Sequence, residues 1–78
     1  MKIVKIIDSI NGQITLYDND TYILNRGFNS YVSLIRKKND LIYDLVDAGF
    51  VIRDMSLKLG ANKNGLRFIL SVKMTFYK

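Results

Sequence analysis

Hydrophobic and polar residues alternate near both ends of this chain and recur at helical spacing in between. Residues 2–10 (Lys-Ile-Val-Lys-Ile-Ile-Asp-Ser-Ile) are dense in β-branched side chains and read as a strand. Asn11-Gly12 follows, a strong hairpin signal because a type I′ turn needs positive φ at both central positions. Gln13 to Asp18 returns as a second strand, and Asp18-Asn19-Asp20 turns the chain again. Thr21 to Asn25 makes a short third strand, with Arg26-Gly27-Phe28 as a connector. The turn at Asn11-Gly12 sets Ile6 opposite Tyr17 on one face and Ile7 opposite Leu16 on the other. The first strand is apolar on both sides, which suits a central strand whose second face is partly covered.

From Ser30 the period lengthens. Tyr31, Leu34, Ile35, Leu41, Ile42 and Leu45 fall on one helical face, interrupted by Lys38, whose ammonium can snorkel to the rim. Arg36, Lys37, Asp40, Asp44 and Asp47 fall mostly on the other side. Asn29 or Ser30 supplies an N-cap oxygen and Gly49 suits the left-handed C′ position, predicting one helix over about 30–48.

Period two then resumes. Leu66, Phe68, Leu70, Val72, Met74 and Phe76 face one way; Arg67, Ile69, Ser71, Lys73, Thr75 and Tyr77 face the other. Met55, Leu57 and Leu59 alternate with Ser56 and Lys58 in the strand before, while Phe50 and Ile52 are out of phase, predicting a bulge near Arg53-Asp54. Gly60 to Gly65 reads as a longer hairpin loop. Pairing Leu59 with Leu66 keeps the apolar sets together and places Lys58 directly opposite Arg67.

The predicted fold is α+β, a single small domain over residues 1–78 in the order β-β-β-α-β-β. Its two layers are a mainly antiparallel five-stranded sheet and one amphipathic helix. One helix seals one face, and the other is left to water or a partner.

Charge changes the picture. From Phe50 onward six basic residues (Arg53, Lys58, Lys63, Arg67, Lys73, Lys78) meet one acid, Asp54, whereas six and six balance before it, so the net +5 is local. Basic charge gathered on one unit is an electrostatic footprint for a polyanion. It equally describes solvated charges protecting an open hairpin. The chain has no cysteine and no histidine, which removes disulfides, the commonest zinc, copper and iron ligands, and the commonest general base near neutral pH. The opening apolar run is too short and too interrupted for a secretory signal or a membrane span, so a cytoplasmic protein is expected. Rich Asn, Ile, Lys and Tyr usage resembles translation from an AT-rich genome, as in phages and mobile elements.

Three motif-like stretches fail on inspection. Gly60-Ala-Asn-Lys-Asn-Gly65 has P-loop glycine spacing but continues Leu66-Arg67 and precedes a strand, so no helix N-terminus meets a phosphate. Asp18-Asn19-Asp20 lacks the glycine and terminal Glu of a calcium loop. Asp40, Asp44 and Asp47 share a helical face but sit near Arg36 and Lys37, which balance them. No nucleophile–base constellation is present, so no enzyme, cofactor or metal site is expected.

The expected function is a non-catalytic binding module. Nucleic acid would be engaged by Lys58, Lys63, Arg67 and Lys73, with Tyr17 and Tyr77 as stacking groups. The same exposed groups also fit a protein-interaction or inhibitor module of phage or mobile-element type. Such a module docks on a host protein or self-associates as a homodimer through the open face, using Val4, Ile6 and Ile69.

Overall fold

The protein, described by a computed structural model at residues 2–62 and 65–76 (backbone alone at 62 and 66), has five strands and one helix. In chain order they are β1 (Ile3–Ser9), β2 (Gly12–Tyr17), β3 (Thr21–Phe28), α1 (Tyr31–Asp47), β4 (Phe50–Asn62) and β5 (Gly65–Phe76). The strands form one sheet in the order β1-β2-β3-β5-β4, every neighbouring pair antiparallel. The α+β architecture and the element order are those the sequence predicts.

α1 connects β3 to β4, which run parallel to each other with β5 inserted between them. The helix therefore lies over β3, β5 and β4, the strands it packs against. A helix about 10 Å wide covers only two or three strands spaced about 4.8 Å apart. The hairpin of β1 and β2 extends beyond that cover.

Ser30 caps α1: its Oγ accepts from the Ser33 backbone N–H at 3.1 Å. The buried helical stripe is narrow, consisting of Leu34, Leu41 and Leu45. These pack on Leu24 and Phe28 of β3 and on Leu70, Val72 and Met74 of β5. Tyr22, Phe50 and Phe76 close one end in edge-to-face contacts, with centroids 5.1 and 5.2 Å apart. Tyr31 and Ile35, expected in the core, stay about half exposed (51% and 49%) because the helix is rolled onto its leucines.

Four expectations are corrected. β1 is an edge strand, exposed along its whole length, and not a central strand with a covered second face. The first hairpin is displaced by two residues: Ser9 pairs with Gly12, Ile7 with Ile14 and Ile6 with Thr15, while a bulge at Val4 brings Ile3 opposite Tyr17. Gly12 alone takes positive φ (+128°), and Ile10-Asn11 form the tip, so the turn is not type I′. β3 runs on to Phe28, absorbing the supposed connector.

The C-terminal hairpin is displaced by two as well. β4 continues through Gly60 and Ala61, so Leu59 pairs with Phe68, Leu57 with Leu70 and Met55 with Val72. Lys58 consequently faces Ile69, and Arg67 faces Gly60, so the two cations are not directly opposed. An even shift keeps every side chain on its expected face. The bulge falls between Ile52 and Asp54, where the broken alternation puts it.

Candidate nucleic-acid interface

Alternation along β5 turns Leu70, Val72 and Met74 under the helix and Arg67, Ile69, Ser71, Lys73 and Thr75 to the opposite face. Register carries that face across the sheet. Lys58 lies beside Ile69, Ser56 beside Ser71 and Asp54 beside Lys73 on β4. Gly27, Asn25, Ile23 and Thr21 follow on β3. Among the described residues no element covers this face; α1 lies on the other.

Lys58, Arg67 and Lys73 are all exposed and all project from this bare face. From Arg67 to Lys73 the strip runs roughly 20 Å along β5 at the usual rise per residue. The bulge adds a fourth cation: Arg53 Nε donates to Thr75 Oγ1 at 3.0 Å, holding its guanidinium beyond Lys73. Asp54 faces Lys73 and offsets part of that charge.

Arg67 has a built seat. Its guanidinium lies over Gly27, where any Cβ would be 2.5 Å from Nη2. Only a glycine permits this approach. A recess of about 290 Å³ opens beside it, lined by Gln13, Asn25, Arg26, Gly27, Arg67 and Ile69. Arg26 pairs with Leu70 and turns its side chain to the helix side, its guanidinium carbon 5.0 Å from the centroid of the buried Phe28 ring, so it does not join Arg67 on the bare face. The Ser71 hydroxyl donates to Asn25 Oδ1 at 2.8 Å, which leaves the Asn25 amide NH₂ as a donor. One guanidinium and an amide beside one recess are groups that hold a phosphate oxygen.

Comparison with protein-family models, curated proteins and solved structures finds no match to this chain.

Of the sequence-predicted residues, Lys58, Arg67 and Lys73 come together. Lys63 and Tyr77 lie outside the described residues. Tyr17 is half-buried on the same face, but it stands on β2, level with the Thr21–Thr75 end and away from Arg67. Ile69 is half-buried between Gly27 and Lys58. Val4 and Ile6 are exposed on β1, three strand positions and about 14 Å away, so the trio does not form one patch. Sequence reasoning missed Asn25, Gly27 and Arg53. A glycine inside a strand pattern is the signal for Gly27, since it often marks a close approach. Among the described residues no three carboxylates converge as a metal site, and no helix is long and apolar enough to cross a membrane.

Proposed function

We propose that this protein is a small non-catalytic module that binds nucleic acid on the bare face of its sheet. The observation that supports this reading is the alignment of Arg67, Lys58, Lys73 and Arg53 on the one face the helix leaves open. Phosphates would be neutralised along this strip, with the recess beside Arg67 taking one of them. Ile69 and Ile23 between the cations offer apolar contact, and Tyr17 offers a ring at the far end. An open sheet face with interleaved apolar groups suits an extended single strand better than a duplex.

The test is fluorescence anisotropy with random-sequence single- and double-stranded oligonucleotides, comparing wild type with Lys58→Glu/Arg67→Glu. Both positions are exposed, so the variant should keep its circular-dichroism melt and lose binding. Undiminished binding in the double variant removes this face from the mechanism. A protein-interaction reading draws on β1, which is apolar and exposed on both faces. It would show instead as salt-insensitive partner binding lost in an Ile6 variant.

A further inference from the structure

We infer that the free edge of β4 is a homodimer interface. Two copies pair antiparallel through residues 54–58 about a twofold axis at Ser56, joining two five-stranded sheets into one of ten strands.

The backbone fixes which residues face outward. β4 is the last strand of the sheet. The closing pair Asn62–Gly65 exchanges its hydrogen bonds across a two-residue loop, so alternation bonds Lys58, Ser56 and Asp54 to β5 and turns the peptide groups of Met55 away from the sheet, where its N–H donates at 2.9 Å to Asp54 Oδ1. Alternation then turns the N–H and C=O of Leu57 and Leu59 outward as well. In an antiparallel pair of identical strands, outward residues must face outward residues, so Met55, Leu57 and Leu59 meet one another and even positions meet even positions.

Charge selects among the registers that remain. With Ser56 on the axis, Asp54 of each copy faces Lys58 of the other, and Met55 faces Leu57, each twice. With Leu57 on the axis, Asp54 faces Gly60 and Lys58 faces Ser56. With Lys58 on the axis, the two lysines oppose each other, and with Met55 on it, Lys58 faces Ile52. Only the Ser56 register matches both charges and apolar groups. It also keeps the bulge at Arg53 just outside the paired segment in both copies.

The helix side of β4 is prepared for a neighbour. Because α1 is rolled onto Leu34, Leu41 and Leu45, a groove opens between Tyr31, Ile35 and Lys38 of the helix and Met55 and Leu57 of the strand. Met55, Leu57 and Leu59 are 39%, 47% and 64% exposed, and with Tyr31 and Ile35 form a patch on the order of a few hundred Å². Pairing lays a second Met55 and Leu57 against it. The opposite edge has no such self-complementarity. On β1, Lys5 pairs with Leu16 on the helix side while Asp8 pairs with Gln13 on the bare side, so no twofold pairing brings them together.

The axis is perpendicular to the sheet, so both bare faces point the same way, with the two Lys58 side chains flanking the axis. That consequence rests on the nucleic-acid reading; the dimer does not.

The experiment is sedimentation equilibrium at low salt without oligonucleotide. The interface is smaller than the roughly 800 Å² per partner of a standard complex, so the average mass should rise from 9.0 kDa toward twice that across about 10 µM to 1 mM. Asp54→Lys and Lys58→Asp should each weaken self-association at least tenfold. The first variant carries two cations at these positions and the second two anions, so an equimolar mixture should associate again as a heterodimer. The double exchange in one chain, Asp54→Lys/Lys58→Asp, should also restore the homodimer, which mere destabilisation would not do. A wild type monomeric throughout, a dimer indifferent to both single variants, a mixture that stays apart, or a dimer lost through Ile6→Lys would overturn the assignment. Any of these leaves oligonucleotide binding to be judged separately on Lys58→Glu/Arg67→Glu.

Discussion

Salt dependence is where the proposed face commits to a number. Four cations lie along the strip: Arg67, Lys58, Lys73 and Arg53. For a single strand the slope of log K against log salt is about −0.7 per neutralised phosphate, so four contacts give about −2.8. Raising salt from about 50 to 200 mM then weakens binding about 50-fold, roughly 2.3 kcal/mol. Replacing Lys58 and Arg67 with glutamine halves the contacts, lowers the slope to about −1.4 and leaves only about a sevenfold loss over the same range. The measurement is an anisotropy titration of a fluorescent single-stranded oligonucleotide at four or five salt concentrations, for both proteins. A wild-type slope shallower than about −1, or one that the double variant leaves unchanged, would refute the reasoning. A slope steeper than about −4 would exceed what one copy's strip supplies and report cations from a second copy on the same strand.

Two glycines with the same close approach should behave oppositely. At Gly27 an added Cβ meets the tip of an exposed arginine at 2.5 Å, so Gly27→Ala should keep its melting temperature within a few degrees while displacing Arg67, read as a several-fold loss of oligonucleotide affinity. At Gly12 the Cβ meets the Asn25 carbonyl oxygen at 2.5 Å with φ at +128°, and backbone cannot swing aside, so Gly12→Ala should destabilise by about 1–3 kcal/mol in urea unfolding. Leu24 is fully buried between the sheet and α1, so Leu24→Ala should cost about 3–5 kcal/mol and lower the thermal midpoint by some 15 °C or more. Ser30→Ala, which removes the acceptor for the Ser33 N–H, should cost about 1 kcal/mol in the same melt.

Element type was legible wherever one period ran unbroken. The alternation from Leu66 to Phe76, the helical spacing from Leu34 to Leu45 and the phase break at Arg53 each name their structure because burial on one side demands them. Register was not legible, for a physical reason. A displacement by two residues returns every side chain to its own face, so hydrophobic alternation is blind to it, and both hairpins moved by that amount. The turns decided it, through a glycine at the closing pair in each: Gly12 with Ser9, and Gly65 with Asn62. The shift separated Lys58 from Arg67, and the pairing of β3 with β5 put Arg67 over Gly27. Neither contact can be read from spacing within one strand.

The place of β1 shows a second limit. Ile3, Val4, Ile6 and Ile7 give the composition of a central strand, yet the strand is an edge, because β1, β2 and β3 form a meander and β5 and β4 both add on the far side of β3. The sheet therefore has two apolar edges of different character. β1 carries its charges on opposite faces and a bulge at Val4, features that discourage regular pairing. β4 carries an anion and a cation four residues apart on one face, the spacing at which a strand matches its own antiparallel copy. If β4 pairs this way, the dimer gathers twice the cations on one continuous surface. Self-association and salt sensitivity then become two readouts of the same strand, and Lys58 is the residue that enters both.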